Sequence, residues 1–376
     1  MNLIERIDHW AVVAPEATAH INDGRTLTYG ELCRRSDALA CYLTQRFGDD
    51  RRPVAVLGHR EPEMLIAFLS AVNSGRPYVP LDTALPQQRI EKILATSRAA
   101  LVLTPKDTLQ FSASEARAPA RAVQRDEPFY MLFTSGSTGE PKGVIITLAC
   151  LENFITWMLK EQGFVQLSEV FLNQAPFSFD LSVMDLYCSL ATGGTLFSIS
   201  RDHVANPKEL YRALTSSGVT TWVSTPSFAQ MCLVEERFSE VMLPRVRRFL
   251  FCGETLTPQT AAHLLKRFPR AQVWNTYGPT EATVATTSIR IDAGILEQYS
   301  PLPVGHPMPG SEIFIVNGNR EVLPANQRGE IIIAGPNVSP GYLARPDLTA
   351  DAFFQYRGQR AIVPATLGAS VTIYFF

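Results

Sequence analysis

A strand that runs directly into a loop of hydroxyl and glycine residues constrains this chain more than any other feature. The stretch FYMLFTSGSTGEPKGV, from Phe129 to Val144, passes from apolar residues into Thr134, Ser135, Gly136, Ser137, Thr138 and Gly139. Two glycines allow a tight turn whose N–H groups point into one concavity, while the hydroxyls add donors and Lys142 adds a positive charge. The sequence therefore predicts a cradle for phosphate oxygens, and the alternative is a Ser- and Gly-rich surface loop.

The spacing of this loop differs from that of a Walker A motif. In a Walker A loop the lysine follows the second glycine directly, whereas here two residues separate Gly139 from Lys142. The spacing argues against a P-loop kinase or NTPase.

Alternation of short apolar runs with helical patterns indicates the fold class. PVAVLGH precedes EPEMLIAFLSAVNSG, and VRRFLFCGE precedes TPQTAAHLLKRF, whose Thr257-Pro258 pair is typical of a helix N-terminus. This rhythm predicts an α/β fold with a large, multi-subdomain core built on parallel or mixed sheets. From about residue 289 the short strands SEIFIVNG and GEIIIAG, with Pro- and Gly-rich turns, predict a β-rich subdomain.

Composition excludes several classes of function. The net charge of -2 gives no reason to expect a nucleic-acid partner. The N-terminal MNLIERIDHWAVV carries charges where a signal peptide needs apolar residues, and the uncharged end of the chain, Ala361 to Phe376, is shorter than the roughly 20 residues of a membrane span. We therefore expect a cytoplasmic protein without membrane insertion.

Cysteine spacing and a short arginine run support two further expectations. Six cysteines without a C-x-x-C pair indicate neither a disulfide framework nor a zinc site, although a magnesium ion brought by a nucleotide stays open. The run of Arg245, Arg247 and Arg248 predicts a solvated face.

The loop motif resembles a known signature. TSGSTGEPKGV is similar to that of the adenylate-forming superfamily, which includes acyl-CoA synthetases, luciferases and the adenylation domains of peptide synthetases. NTYGPTEATV and GEIIIAGPNVSPGY resemble later motifs of the same enzymes, in the same order. The resemblance implies that residues 1–361 form the N-terminal adenylation core. It also implies a reaction that joins a carboxylate to AMP, releases diphosphate and passes the acyl group to a thiol.

The resemblance also implies a site for ATP and Mg²⁺. Lys142 and the phosphate loop, residues 134–139, would hold the triphosphate, and Glu281 would hold the magnesium ion; Lys142 and Glu281 are the implied catalytic residues. Thr280 would contact the α-phosphate and Tyr277 would stack on adenine. The other implied ATP contacts are Asn275, Thr276, Gly278 and Pro279.

A carboxylate in NQAPFSFDLSVMDLY bears on the acyl substrate. Asp180 stands where amino-acid-activating members of the superfamily keep a carboxylate for the substrate ammonium. If Asp180 were left unpaired in a pocket for a fatty or aryl acid, desolvation of its carboxylate would cost free energy. This argues against an acyl-CoA synthetase. The alternative is an exposed loop aspartate.

The stretches TPSFAQMCL, FLFCGE and WNTYGPTEATVA narrow the resemblance to the D-alanine-activating members. Those enzymes pass D-alanine to the phosphopantetheine thiol of a D-alanyl carrier protein for (lipo)teichoic acid. By this resemblance Asp180 binds the amino group of D-alanine, Cys252 lines the small pocket and bears on the D over L preference, and Val284 touches the substrate. The alternative for Cys252 is a buried core position.

Two rival functions and an unusual chain end complete the expectations. The rivals are a peptide-synthetase adenylation domain for another amino acid and a catalytically dead nucleotide-binding remnant. In the superfamily the core continues as Y-R-T-G-D-L-G, whose aspartate binds ribose. Codons TAT CGT ACC GGC GAC CTT GGG read one base later encode the residues from Ile362 to Gly368. We therefore expect 362–376 to be an out-of-frame tail, with the small C-terminal lid domain absent and adenylate formation reduced by several orders of magnitude.

Overall fold

The structure is a computed structural model that describes residues 1–110, 122–135, 140–324, 327 and 329–364, without the side chain of Ser135. Most of the expected tail, from residue 365 onward, lies outside this part of the chain. The described helices are α1 (Leu3–Val13), α2 (Tyr29–Phe47), α3 (Pro62–Asn73), α4 (Gln87–Ser97), α5 (Pro105–Leu109), α6 (Leu148–Gln162), α7 (Leu181–Thr192), α8 (Arg201–Ala205), α9 (Pro207–Ser217), α10 (Pro226–Cys232), α11 (Pro258–Arg267), α12 (Ala293–Gln298) and α13 (Pro346–Ala352), with a 3₁₀ turn at Thr280–Ala282.

Three sheets are formed by the described strands. The strands are β1 (Thr18–Asn22), β2 (Arg25–Thr28), β3 (Val54–Gly58), β4 (Tyr78–Asp82), β5 (Leu101–Leu103), β6 (Pro128–Ser135), β7 (Pro141–Thr147), β8 (Val170–Asn173), β9 (Thr195–Ser198), β10 (Thr221–Ser224), β11 (Arg248–Phe251), β12 (Gln272–Tyr277), β13 (Thr287–Ile291), β14 (His306–Pro307), β15 (Glu312–Val316), β16 (Glu330–Ala334), β17 (Phe353–Tyr356) and β18 (Gln359–Ile362).

The largest sheet has a parallel centre and antiparallel edges. Among the described residues it has the order β14-β13-β12-β11-β10-β8-β9-β1-β2, in which the neighbours from β12 to β1 run parallel. A second sheet, β5-β3-β4-β6-β7, is parallel except for the β6–β7 hairpin. The third, β15-β16-β18-β17, is antiparallel throughout. The predicted α/β class is confirmed, and the division of the chain at about residue 289 stays a prediction.

Two apolar helices form the layer between the large sheets. Every residue of α3 and of α7 is buried, as expected for helices that are apolar on all sides. Helix α3 contacts β3 and β4 of the second sheet and β1 and β2 of the largest sheet. Helix α7 contacts β8, β9 and β10. Because α7 begins directly after Asp180, its packing fixes where that carboxylate lies.

Local sequence signals explain where α7 and α11 begin or end. Helix α7 ends at Gly193, whose φ of +68° lies in the left-handed region that glycine adopts most readily. Helix α11 begins after Thr257, whose side chain accepts a hydrogen bond from the N–H of Thr260, and Pro258 occupies the first helical position. The predicted helix start at Thr257-Pro258 is confirmed.

The arginine run after helix α10 corrects one expectation. Arg245 and Arg247 are exposed, but Arg248 is only 8% exposed and its Nη1 lies 3.2 Å from the Glu169 carboxylate. Its guanidinium also lies over the ring of Phe164, 4.7 Å from the ring centre. The prediction of a solvated face is therefore wrong for Arg248, which is paired with a carboxylate inside the fold.

Candidate active site

The carboxyl ends of three parallel strands gather the residues that the sequence singled out. Ser224 of β10 lies opposite Phe251 of β11, which in turn lies opposite Asn275 of β12. Cys252 and the segment after Tyr277 therefore leave the sheet at the same edge. Crevices at this edge are where open α/β sheets bind ligands.

Asp180 lies half-buried at the start of α7. Burial raises the pKa of its carboxyl to about 6; a hydrogen bond from the Thr280 hydroxyl opposes this, and the negative charge of Glu281 adds to it. The largest influences on this pKa are burial, the Thr280 hydroxyl, the Glu281 charge and the backbone N–H groups of residues 180 and 181, and none of these is a cation. Asp180 is thus a carboxylate with a neutral donor and an acidic neighbour, at a site that favours an incoming positive charge.

Cys252 follows β11 directly and is 3% exposed. Its Sγ donates a hydrogen bond to the carbonyl oxygen of Val284 at 3.5 Å. Burial raises the pKa of the thiol to about 12, and the charge of Asp180 contributes to this rise. The thiol therefore keeps its proton at neutral pH and lies close enough to Asp180 for their charges to interact, so the three predicted substrate residues share one region.

The turn that carries Val284 has an uncommon backbone conformation. Thr283 and Val284 have φ angles of +57° and +68°, which β-branched residues rarely adopt. Asn337 holds this turn in place. Its side-chain Nδ2 donates a hydrogen bond to the Ala282 carbonyl at 2.7 Å, and its backbone carbonyl accepts one from the Thr283 hydroxyl at 2.7 Å. Surrounding structure of this kind is what maintains such strain at a site.

Three sequence motifs meet at the ring of Tyr342. The Tyr342 hydroxyl donates a hydrogen bond to Oε1 of Glu281 at 2.7 Å, and both residues are 6% exposed. Nζ of Lys142 lies 4.9 Å from the centre of the same ring, within cation–π distance. Burial raises the pKa of Tyr342, and the charge of Glu281 acts in the same direction, so the phenol stays protonated and serves as donor.

Asn275 and Thr276 use their side chains within the fold. Nδ2 of Asn275 donates to the Pro303 carbonyl at 2.8 Å, and the Thr276 hydroxyl donates to the Phe251 carbonyl at 2.8 Å. Both residues are buried in β12. Their contact with ATP, implied by the resemblance, stays a prediction.

The last residue of β12 and the motif residues that follow it are more exposed to solvent. Tyr277 is half-buried, and burial raises the pKa of its phenol to about 12. Gly278 packs so closely that a Cβ there would come within 2.6 Å of the Cα of Ala285, so the turn requires glycine. Pro279 then precedes the 3₁₀ turn, which begins at the half-buried Thr280.

The phosphate loop connects β6 to β7. Thr134 lies opposite Lys142, and Ser135 lies opposite Pro141, in the antiparallel register of this hairpin. The predicted ligands at the tip, Gly136, Ser137, Thr138 and Gly139, lie outside the described residues, as does the side chain of Ser135. The hairpin thus presents Lys142 beside the ends of the loop.

The donor set fits a magnesium ion that a nucleotide brings with it. Within the described part of the chain, no group of three or more His, Cys, Asp or Glu residues could hold a metal ion alone. Mg²⁺ is commonly held by one or two carboxylates together with substrate phosphates. Glu281 can supply such a carboxylate. Its Oε1 accepts a hydrogen bond from Tyr342, and its Oε2 accepts no hydrogen bond from the described residues.

Residues 7–343 match the family model described as AMP-binding enzyme. The chain belongs to this family. One relative, the "D-alanine--D-alanyl carrier protein ligase" of Bacillus anthracis, is 45% identical over 378 residues, which cover 96% of this chain and 75% of the relative. The protein of the same name from Bacillus cereus strain Q1 is 45% identical over 379 residues, with the same two coverages.

Two solved structures share the fold. The N-terminal subdomain of Klebsiella oxytoca NpsA, in complex with 3-hydroxybenzoyl-AMSN, has a TM-score of 0.82 at 25% identity and covers 96% of this chain and 95% of its own. The nonribosomal peptide synthetase FmoA3 in an AMPPNP-bound form has a TM-score of 0.88 at 25% identity, over 96% of this chain and 40% of its own. None of the helices in the described residues is long and apolar enough to cross a membrane.

Sequence reasoning missed two residues of this site. Asn337 and Tyr342 belong to the stretch GEIIIAGPNVSPGY, in which no site residue was predicted. Their contacts reach Ala282 and Glu281, more than fifty residues earlier in the chain. An Asn and a terminal Tyr within the Gly- and Pro-rich half of this stretch are the signal that could have indicated a role.

Proposed function

We propose that this protein activates D-alanine with ATP as D-alanyl-AMP and diphosphate, at the reduced rate expected when the sequence from Ile362 to Gly368 lacks the ribose-binding aspartate. It then transfers the D-alanyl group to the phosphopantetheine thiol of a D-alanyl carrier protein, for the D-alanylation of (lipo)teichoic acid. The reaction takes place in the cytoplasm, where ATP is available. The names of the Bacillus relatives, at 45% identity over most of this chain, support the choice of D-alanine and of a carrier protein.

One observation carries the choice of an amino acid over other carboxylic acids. The carboxylate of Asp180 is half-buried, and its pKa of about 6 reflects burial as the largest influence, with no cation among the main groups that act on it. An α-amino acid brings an ammonium group that supplies the missing charge. A fatty or aryl acid would leave the carboxylate desolvated and unpaired, at a cost of several kcal/mol.

The groups near Asp180 suit a small side chain. Cys252 and Val284 are 3% and 1% exposed and contact each other through the Sγ hydrogen bond. A protonated thiol and an isopropyl group offer weakly polar and apolar surface, which favours a methyl group over a charged or strongly polar side chain.

The nucleotide residues act mainly by neutralising charge and holding the reactants in line. A carboxylate oxygen of D-alanine attacks the α-phosphorus of ATP, and diphosphate leaves with the electron pair of the broken P–O bond. Lys142 and the loop of residues 134–139 hold the triphosphate, Thr280 contacts the α-phosphate, and Tyr277 stacks on adenine. When bound through Glu281, Mg²⁺ supplies further neutralisation of phosphate charge.

A pair of matched ligands tests the substrate class. The probes are the sulfamoyl-adenosine analogues of D-alanyl-AMP and of propionyl-AMP, which share a methyl group and differ in the amino group. We expect the propionyl analogue to bind about 100-fold more weakly by isothermal titration calorimetry, because only the D-alanyl analogue pairs with Asp180. Equal affinity would refute an amino-acid substrate, and binding of neither analogue would refute adenylate formation.

A further inference from the structure

The backbone around Tyr342 is held against the hairpin that carries Lys142. Tyr342 lies opposite Val144 of β7 in an antiparallel bridge. The N–H of the next residue, Leu343, donates to the carbonyl of Gly143 at 2.8 Å. Residues 342–343 therefore extend the sheet beside β7, and Lys142 directly precedes the paired residues.

Further contacts of its backbone and its ring restrain Tyr342. Its backbone N–H donates to the Thr349 hydroxyl at 3.0 Å. The preceding Gly341 has a φ of +135°, and a Cβ there would come within 2.4 Å of Thr349, so only glycine permits this approach. Phe353 packs edge-on against the ring, with the ring centres 5.3 Å apart and an interplanar angle of 75°. Tyr342 therefore has little freedom to move relative to β7.

From this fixed position Tyr342 reaches two charged groups by two different parts of its side chain. Its hydroxyl donates to Oε1 of Glu281 at 2.7 Å, and its ring face lies 4.9 Å from Nζ of Lys142. Donation to Oε1 restrains the carboxylate and leaves Oε2 without a hydrogen bond from the described residues. The ring face attracts the ammonium without supplying an oxygen acceptor, so N–H donors of Lys142 stay available for phosphate oxygens.

We propose that Tyr342 is a positioning residue that aims the Glu281 carboxylate at the metal ion with its hydroxyl and holds the Lys142 ammonium for the phosphates with its ring. The inference rests on the proposed use of Glu281 for Mg²⁺ and of Lys142 for ATP. Tyr342 then affects nucleotide binding in two ways, a metal-dependent one through its hydroxyl and a metal-independent one through its ring. A residue that only stabilised the fold would not separate them.

Two substitutions separate the hydroxyl contact with Glu281 from the ring contact with Lys142. Tyr342→Phe keeps the ring beside Lys142 and removes the hydroxyl from Glu281. Tyr342→Leu removes both contacts. Tyr356→Phe is the matched control, because Tyr356 lies in β17 and packs against Phe314, away from both charged groups.

Titration calorimetry with AMPPNP, in EDTA and in saturating Mg²⁺, separates the two parts. We expect Tyr342→Phe to reduce the affinity gained from Mg²⁺ about tenfold, as loss of a partner that orients a metal ligand commonly does, and to leave metal-free affinity within about twofold. Tyr342→Leu should also weaken metal-free binding, by about three- to tenfold. Mn²⁺ titration of the AMPPNP complex, followed by electron paramagnetic resonance, should show the same loss for Tyr342→Phe, and Tyr356→Phe should match the wild type.

A double-substitution cycle keeps the test decisive if Tyr342→Phe lowers the melting temperature. Glu281→Gln should abolish most of the affinity gained from Mg²⁺, and adding Tyr342→Phe to it should cause no further loss. Additive losses, an equal loss with and without Mg²⁺, or no loss in Tyr342→Phe would overturn the inference while leaving the proposed function intact. Failure of the wild-type chain to bind AMPPNP under either condition would instead overturn the proposed function, and this inference with it.

Discussion

The Cys252 thiol donates a hydrogen bond to the carbonyl oxygen of Val284 across 3.5 Å. This bond joins the end of β11 to a turn in which Val284 has a φ of +68°. The thiol is also close enough to Asp180 for the carboxylate charge to affect its pKa. One cysteine thus links the wall of the proposed substrate pocket to the carboxylate proposed for the ammonium.

Replacement of Cys252 by alanine tests its part in stereochemical preference. Loss of Sγ removes an atom beside the proposed methyl site, and contacts of this size are worth about tenfold or more in discrimination. We expect the affinity ratio of D-alanyl to L-alanyl sulfamoyl-adenosine to fall about tenfold by calorimetry. Cys232→Ala is the matched control, because Cys232 is fully buried in α10 and should affect stability alone. An unchanged ratio in Cys252→Ala would contradict the assignment.

Asp180→Asn should stabilise the ligand-free protein. Because burial raises the pKa of Asp180 from 3.8 to about 6, the native state holds its proton more tightly than the unfolded state does. Its destabilising effect therefore grows as pH rises from about 4 to 6 and is complete at neutral pH. After allowance for solvent screening of a half-buried group, we expect asparagine to raise the free energy of unfolding by about 1 to 2 kcal/mol at pH 7.5. Urea denaturation measures this, and the gain should vanish at pH 4.

The pH dependence of ligand binding provides an independent check on Asp180. The ammonium of the D-alanyl analogue pairs with an ionised carboxylate, and the fraction ionised falls as pH drops below the pKa of about 6. We expect the affinity for D-alanyl sulfamoyl-adenosine to decrease about tenfold between pH 7 and pH 5. In Asp180→Asn this decrease should be absent; its persistence there would assign the titration to another group.

The buried pair of Arg248 and Glu169 should contribute strongly to stability. Glu169 is 1% exposed, and removal of the arginine would leave its carboxylate with the exposed Arg247 as its remaining cation in the described chain. We expect Arg248→Met to lower the free energy of unfolding by about 3 kcal/mol in urea denaturation. The exposed Arg245 supplies the control, and Arg245→Met should change stability by less than about 0.5 kcal/mol. Equal effects of the two substitutions would contradict this account.

Local signals in the sequence predicted the parts of the fold that depend on neighbours in the chain. The Thr257-Pro258 helix start follows from a side chain that bonds three residues ahead. The position of Cys252 at the end of a strand follows from the short apolar run before it. Both depend on contacts within a few residues, which a single sequence displays directly.

Contacts between distant segments could not be predicted in this way. Arg248 stands in an arginine run typical of a surface. Its partner Glu169 lies 79 residues earlier, directly before strand β8. Tyr342 closes a motif in which no site residue was predicted, and only the three-dimensional fold brings its hydroxyl to Glu281, 61 residues away. Charge pairing and hydrogen bonding across sheets decide these roles, and neither is visible in local pattern.

The preference between the two isomers of alanine is the sharpest test of the proposed substrate pocket. The wild-type chain is titrated with D-alanyl and L-alanyl sulfamoyl-adenosine under identical conditions, so that the nucleotide contacts cancel in the ratio of the two dissociation constants. We expect tighter binding of the D isomer by about tenfold or more, since the isomers differ only in how methyl and ammonium are placed relative to Cys252 and Asp180. Equal binding, or tighter binding of the L isomer, would contradict it.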